Sequence, residues 1–146
     1  MFRAFAFVAL LAVSTSACER FFRSCTSDSA IGYDISFECT PAWDNLKAGD
    51  AYELTTRYSM TKEVTGGTDA QIAKLSGITI ENKKVDLCDE LKDTPGAECP
   101  LPEGPREYVI SGTVDPSLPS GTLYASSTWT TPDGEEILCY ESQLCL

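Results

Sequence analysis

The rest of the chain is organised around residues 64–105, VTGGTDAQIAKLSGITIENKKVDLCDELKDTPGAECPLPEGP. Gly66-Gly67 permits the positive φ angles that a tight connection needs. Apolar and polar residues then alternate over 70–75 and again over 78–80, on either side of Ser76-Gly77. Alternation with a period of two is typical of half-buried β-strands, so this stretch predicts two strands.

A polar loop follows these strands. Ten residues separate Cys88 from Cys99, and they contain Pro95-Gly96. Such a segment cannot bury itself, so we expect it to lie on the surface, where a disulfide between the two cysteines would staple it.

The same alternation recurs on both sides of residues 64–105, and no segment has a sustained helical period. Turn-forming residues occupy 47–50, 115–121 and 132–134. Six or seven short strands at regular spacing predict an all-β, immunoglobulin-like two-sheet β-sandwich that forms one domain. Outside the central stretch, the predicted strands lie around residues 33–37, 52–60, 108–114, 123–129 and 138–144.

The first 17 residues have the features of a secretory signal peptide. Arg3 supplies a positive start, residues 5–13 are an unbroken apolar run, and 14–17 are small residues suited to cleavage. Nine apolar residues are too few to span a membrane, which takes about 20. We therefore predict a signal peptide at 1–17, a domain at 18–146, and a location in the secretory pathway, either extracellular or in an endolysosomal or vacuolar lumen.

The composition excludes several functions. Eleven basic against 22 acidic residues give a net charge of −11, and loss of Arg3 with the signal peptide would make it −12. This balance disfavours nucleic acid and simple adsorption to anionic lipid, so any membrane contact would be apolar or local. The chain has no histidine and no CxxC spacing, and 133–136 lack the ligand spacing of an EF-hand. We predict no catalytic residues, no metal and no cofactor.

Five short motifs in the chain carry a resemblance to a known family. They are Glu63–Gly67 (EVTGG), Val85–Cys88 (VDLC), Cys99–Pro102 (CPLP), Pro119–Tyr124 (PSGTLY) and Ile137–Cys139 (ILC). In this order and at this spacing, they resemble the ML lipid-recognition family from about Cys25 to the C-terminus. The resemblance implies a non-enzymatic protein that binds a sterol or a phospholipid between its sheets and transfers it between membranes as a monomer.

Seven cysteines in a secretory chain predict disulfides and leave at least one cysteine over. The resemblance implies the pairs Cys25–Cys139 and Cys88–Cys99. In several relatives Cys39 has a partner five residues on, but position 44 is Asp here. We therefore expect Cys39–Cys145 as the third pair, with Cys18 free or removed.

Small residues on predicted inward faces bear on the binding site. Gly112, Ala125 and Ser127 remove side-chain volume from the middle of the interior, so either the sheets approach more closely or a cavity remains. The residues alone favour closer sheets, whereas the family resemblance implies an apolar cavity. The residues that we expect to line it are Leu54, Tyr58, Ile72, Ile80, Tyr108, Ile110, Leu123 and Trp129.

A second function fits the same sequence. The chain could be a secreted protein-recognition module, acting through its loops as a lipid-presenting co-factor, an inhibitor or an effector. Its interior would then be packed, and exposed apolar loop residues such as Trp43, Leu101 and Leu118 would contact the partner. Lipid that co-purifies with the protein would distinguish the two functions.

Overall fold

Period-two alternation produces eight strands and very little helix in the computed structural model, which describes residues 17–146. The signal peptide predicted over 1–17 therefore lies, up to residue 16, outside the described residues. The strands are β1 (Phe21–Ser24), β2 (Gly32–Thr40), β3 (Ala51–Met60), β4 (Thr68–Leu75), β5 (Ile78–Asp86), β6 (Gly104–Thr113), β7 (Thr122–Thr130) and β8 (Glu136–Cys145). A one-turn helix, α1 (Leu87–Leu91), and a 3-10 turn (Trp43–Asn45) complete the secondary structure. Within the described range, no helix is long and apolar enough to cross a membrane.

The strands form two antiparallel sheets, which confirms the predicted all-β sandwich. The larger sheet has the order β1-β8-β7-β4-β5 and the smaller has the order β2-β3-β6. In β3, alternate residues from Leu54 to Met60 are buried against the larger sheet, as the sequence predicts. The turn between β4 and β5 is made by Ser76 and Gly77, whose φ angles of 49° and 81° suit a type I′ hairpin.

Strand β1 is the element that the sequence did not predict. Its four residues pair with β8, from Phe21 opposite Gln143 to Ser24 opposite Tyr140. A four-residue strand contains too few positions to show a period of two, so its alternation could not be read from the sequence.

Contrary to our expectation, the loop after β5 does not lie entirely on the surface. Asp86 caps α1, because its carboxylate accepts a hydrogen bond from the backbone N–H of Asp89 at 3.0 Å. Leu91 and Ala97, both inside the loop that was expected to lie on the surface, are buried in the core. The loop is therefore anchored by apolar side chains as well as by its disulfide.

The buried apolar residues fall into two separate clusters. The larger contains Tyr58, Met60, Tyr108, Trp129 and Leu138, together with residues of α1 and its loop. The smaller consists of Leu46, Val114 and Leu144, with Trp43, Tyr52 and Leu123 packed against it. The strands of both sheets run from one cluster to the other. The middle of the sandwich lies between the clusters and belongs to neither of them.

Three disulfides hold the sandwich, and one of them corrects our prediction. Cys25–Cys139 and Cys88–Cys99 are present as expected, but Cys145 pairs with Cys18 and not with Cys39. Pairing of β1 with β8 brings Cys18 beside the C-terminus, with a Cα–Cα distance of 6.0 Å.

Cys39 instead lies on β2 in the other sheet, opposite Leu54. Its half-buried thiol is free, and burial raises its pKa.

Candidate functional site

A row of small residues crosses the inner face of the larger sheet between the two clusters. Ser142 of β8 pairs with Ala125 of β7, and Ala125 pairs with Ala73 of β4. The row continues to Phe22 on β1 at one end and to Glu81 on β5 at the other. Three adjacent strands carry Ser or Ala at this level. Because these side chains are short, they leave a groove that runs across the strands.

The groove widens into a recess of about 180 Å³. Most of its lining faces the smaller sheet, and the full set is Gln71, Ile72, Ala73, Glu81, Ala125, Ser126, Ser127, Tyr140 and Ser142. Its volume is below the roughly 300–1,000 Å³ of typical ligand pockets, so a sizeable guest would require the lining to move. Glu81 and Lys83, on the inner side of edge strand β5, are exposed, which shows that this end of the recess opens to solvent.

Aromatic rings pack at the other end of the groove, where they also line a hollow of about 370 Å³. Phe22 lies 4.6 Å from Phe37 and 4.9 Å from Trp43, measured between ring centroids, and Phe37 lies 5.8 Å from Tyr140. The indole N–H of Trp43 donates a hydrogen bond to the carbonyl of Gln143 at 2.9 Å and fixes this ring. These offset and edge-on contacts bring the two sheets together where β1 meets β2.

Gly112 does not add to the open space, although its size suggested that it would. It pairs with Tyr52 across β3 and β6. A Cβ atom added to Gly112 would lie 2.6 Å from the Tyr52 hydroxyl oxygen, so the tyrosine ring occupies the space above the glycine. The opening comes from Ala73, Ala125 and Ser142 in the larger sheet.

A buried carboxyl group lies beside the recess. Asp69 of β4 is only 2% exposed, accepts a hydrogen bond from the Ser127 hydroxyl, and accepts a second from Gln71 Nε2 at 2.8 Å. Burial raises the pKa of Asp69, and these two donors partly oppose the shift. Gln71 Nε2 also lies 3.2 Å from Glu90 Oε1 on α1, so it links the floor of the recess to the rim.

Six of the eight residues predicted to line the cavity lie on the inner faces of the two sheets, but they belong to different parts of the interior. Leu54, Tyr58, Tyr108, Ile110, Leu123 and Trp129 all lie on inner faces, with Ile110 and Leu123 half-buried. Tyr58, Tyr108 and Trp129 belong to the larger packed cluster, and none of the six is among the residues that line the recess. Ligand contact by these six residues stays a prediction.

Ile72 and Ile80 do not lie on the inner face, although Ile72 is among the residues that line the recess. Inner positions of β4 are Asp69, Gln71 and Ala73, so Ile72, between the last two, presents its side chain to the outside. Ile80 lies where the β4–β5 register shifts and is 53% exposed. The error follows from reading the apolar residues of β4 as its buried face, whereas that face carries polar and small residues near the open edge.

The residues missed from the sequence are mainly Gln71, Ala73, Tyr140 and Ser142. Their signal was present, because each lies two residues from another inner position on its strand. Gln71 and Ala73 follow Asp69, while Tyr140 and Ser142 lie between Leu138 and Leu144. Burial raises the pKa of the Tyr140 phenol to about 12.

Two sheets around a partly open interior define the class to which this chain belongs. The ML domain family model matches residues 19–145, and the chain is therefore a member of the ML domain family.

Two curated relatives match shorter segments. A Dictyostelium discoideum protein named for phosphatidylglycerol/phosphatidylinositol transfer is 30% identical over 87 residues, which is 58% of this chain and 58% of that protein. The phosphatidylglycerol/phosphatidylinositol transfer protein of Schizosaccharomyces pombe is 24% identical over 98 residues, which is 66% of this chain and 52% of that protein. The matches thus span a little over half the length of each relative.

Solved structures share the fold at low sequence identity. A Niemann-Pick type C2 protein from the Japanese carpenter ant superposes with a TM-score of 0.59 at 14% identity, over 84% of this chain and 96% of that one. Chicken MD-1, solved in complex with lipid IVa, gives a TM-score of 0.55 at 14% identity, over 86% and 88% of the two chains. At these identities the likeness establishes the fold alone.

Proposed function

We propose that this protein binds the tail of a single phospholipid between its sheets and carries the lipid between membranes. The observation that carries the proposal is the open row of Ser142, Ala125 and Ala73 between two packed clusters, in a chain of the ML domain family. An acyl chain is long and narrow, and its shape suits a transverse groove with one open end. The three disulfides are typical of a secreted or lumenal protein.

The energy of such binding comes from removing the tail from water. At about 25 cal/mol per Å² of apolar surface, a few hundred Å² of tail contributes several kcal/mol. Half-buried Ile110 and Leu123 supply apolar surface that is not fully used in packing. Since the tail passes from one apolar phase to another, transfer requires no covalent step, and the headgroup can stay in water at the β5 edge.

Phospholipid is favoured over sterol as the ligand for two reasons. Both curated relatives are named for the transfer of phosphatidylglycerol and phosphatidylinositol. The recess of about 180 Å³ is also small, and a flexible chain enters a narrow groove with less displacement of its walls than a rigid fused ring system does. A competition assay, in which a phospholipid and a sterol compete for binding to the protein, would test this preference.

The proposal is tested by filling the groove with Ala125→Trp. Ala125 is the middle of the small-residue row, so the indole would occupy the path of the tail. Val109→Trp is the matched control, because Val109 points outwards from the other sheet and is 46% exposed. Transfer of a fluorescent phosphatidylglycerol between vesicles should fall to background in Ala125→Trp and stay at the parental rate in Val109→Trp.

Equal transfer by Ala125→Trp and the parent, with both variants folded, would show that the groove is not the site. An organic extract of the purified protein provides a second measurement. If the extract contains no phospholipid and the protein transfers none, the protein-recognition function would replace this proposal.

A further inference from the structure

Strand β5 carries two strongly exposed isoleucines. Ile78 is 72% exposed and Ile80 is 53% exposed, and they are the most exposed large hydrophobic residues in the described chain. The next are Val109 at 46% and Tyr33 at 45%, and both belong to the other sheet. Since β5 is also an edge strand of the larger sheet, its outer backbone edge has no neighbouring strand among residues 17–146.

The β4–β5 hairpin is less acidic than the molecule as a whole. Between Thr68 and Asp86 it carries three lysines, Lys74, Lys83 and Lys84, against two exposed acids, Glu81 and Asp86, and the buried Asp69, in a chain whose net charge is −11. Lys83 lies 2.8 Å from Glu81, while Lys74 and Lys84 make no ion pair with any residue in 17–146. At physiological ionic strength, charges more than about 8 Å away are largely screened, so a surface that meets β5 would experience these local lysines more than the negative charge of the whole molecule.

Protection of a sheet edge explains only part of this pattern. Lysines on an edge strand do discourage pairing with another chain. Two exposed isoleucines on the same strand have the opposite effect, because they favour association. Apolar residues flanked by lysines instead match the interface of an anionic bilayer, where the isoleucines can enter the headgroup region while the lysines contact phosphates.

Strand β5 lies beside the open end of the recess, so its exposed isoleucines and lysines are close to the path of the lipid tail. Glu81 of β5 lines the recess, whose open end lies at this edge. A membrane that touched β5 would therefore lie against the mouth of the groove. A tail could then move between bilayer and groove with little exposure to water.

We propose that the β4–β5 hairpin is the surface through which this protein docks on anionic membranes. Ile78 and Ile80 insert into the interfacial region, and Lys74, Lys83 and Lys84 contact lipid phosphates. This inference deepens the proposed lipid transfer and rests on it for its purpose, but docking itself can be measured without any transfer.

Flotation with vesicles tests the apolar part of this surface. Vesicles of phosphatidylcholine with one-fifth phosphatidylglycerol are compared for the parent, Ile78→Ser/Ile80→Ser, and the control Tyr33→Ser/Val109→Ser. Loss of several inserted methylene groups should weaken vesicle binding of the β5 variant by about tenfold or more, while the control binds as the parent does. Equal binding by all three proteins would overturn the inference.

The charged part is tested with Lys74→Glu/Lys84→Glu against Lys47→Glu/Lys62→Glu, which makes the same charge change outside the hairpin. Only the hairpin variant should lose its preference for phosphatidylglycerol over pure phosphatidylcholine. Equal losses in both variants would mean that net charge, and not this surface, governs the contact.

Two further measurements separate this inference from the proposed function and from other partners. Binding of a short-chain phosphatidylglycerol below its micelle concentration should be the same in Ile78→Ser/Ile80→Ser and the parent, because the groove is intact. If the parent binds vesicles through β5 but binds no soluble lipid, the transfer proposal fails and docking stands. If the isoleucine variant changes only the oligomeric state, β5 pairs with a second copy and the inference is overturned.

Discussion

Asp69 shows how one residue connects the groove to the stability of the fold. Its carboxyl group is buried between strands, beside Trp129 in the cross-strand pairing. Ser127 and Gln71 donate hydrogen bonds to it, but no cation contacts it within the described chain. Glu90 raises its pKa and Lys83 lowers it, and both effects are smaller than that of burial. An ionised carboxylate is therefore costly at this position.

The raised pKa of Asp69 predicts a definite pH dependence. The folded state binds the proton more tightly than the unfolded state, whose aspartates titrate near pH 4. This contribution to stability is therefore fully present below about pH 4 and is lost as pH rises through the higher pKa of the folded state. We therefore expect the stability of the parent relative to Asp69→Asn, measured as the difference between their free energies of unfolding, to be greater at pH 4 than at pH 7.

Denaturant unfolding at the two pH values measures this difference, and effects of other carboxylates cancel in the subtraction. Asp133→Asn, on an exposed turn, is the control. A difference between the parent and Asp69→Asn that is the same at pH 4 and pH 7 would contradict the raised pKa.

Among the elements, strand β1 lies between two disulfide-bonded cysteines, Cys18 and Cys25. The loop closed by Cys18–Cys145 encloses the loop closed by Cys25–Cys139. Cys18–Cys145 spans 127 residues and Cys25–Cys139 spans 114. Once one of these disulfides has formed, the second closes only a short ring. The ring consists of the segment from Cys18 to Cys25, seven residues apart, and the segment from Cys139 to Cys145, six residues apart. The entropic gain from the second closure is therefore that of a ring of about 13 residues, not that of a long loop.

Removing Cys18–Cys145 with serines should therefore cost about 3 kcal/mol, and removing Cys25–Cys139 should cost about the same. Removing both should cost about 8 kcal/mol, more than the sum of the two, since the long closure is lost as well. That is comparable to the whole stability of a typical domain, so we expect the quadruple variant to be unfolded. Denaturant unfolding of each variant under non-reducing conditions measures these costs.

The pairing itself can be checked on the same samples. The unreduced parent should release one titratable thiol per chain in denaturant, and Cys39→Ser should release none, because Cys39 is the free cysteine. Recovery of a Cys39–Cys145 peptide would contradict the structure.

The whole molecule is a sandwich whose two sheets differ in width. The larger sheet has five strands and the smaller has three. Three strands do not cover the inner face of β4 and β5 completely, and this uncovered area is where Gln71, Glu81 and Lys83 replace apolar residues. The open groove is thus a consequence of unequal sheets, with packed clusters at both ends to hold the fold.

Lipid in the groove should stabilise the whole molecule. A ligand that binds only the folded state, at about 100 times its dissociation constant, adds about 2.7 kcal/mol to the free energy of unfolding. Monomeric lysophosphatidylglycerol should therefore raise the Tm of the parent by several degrees and leave that of Ala125→Trp unchanged. Differential scanning calorimetry below the micelle concentration measures both, and the same rise in the filled variant would place the ligand elsewhere.

The all-β sandwich could be predicted from the sequence, because period-two alternation and turn residues act locally. The inner face of β3 was also predicted from this alternation. The order of the ML motifs also implied the family and two of the disulfides, Cys25–Cys139 and Cys88–Cys99.

The remaining features could not be predicted from the sequence, since each depends on contacts between distant segments. Cys145 pairs with Cys18 because β1 adds to β8, and a four-residue strand carries no periodic signal. The face of β4 that points inwards was decided by how the sheets overlap: near the open edge burial is incomplete, so apolar Ile72 lies outside while Gln71 lies inside. Hydrophobicity predicts the inner face of a strand only where the opposite sheet covers it.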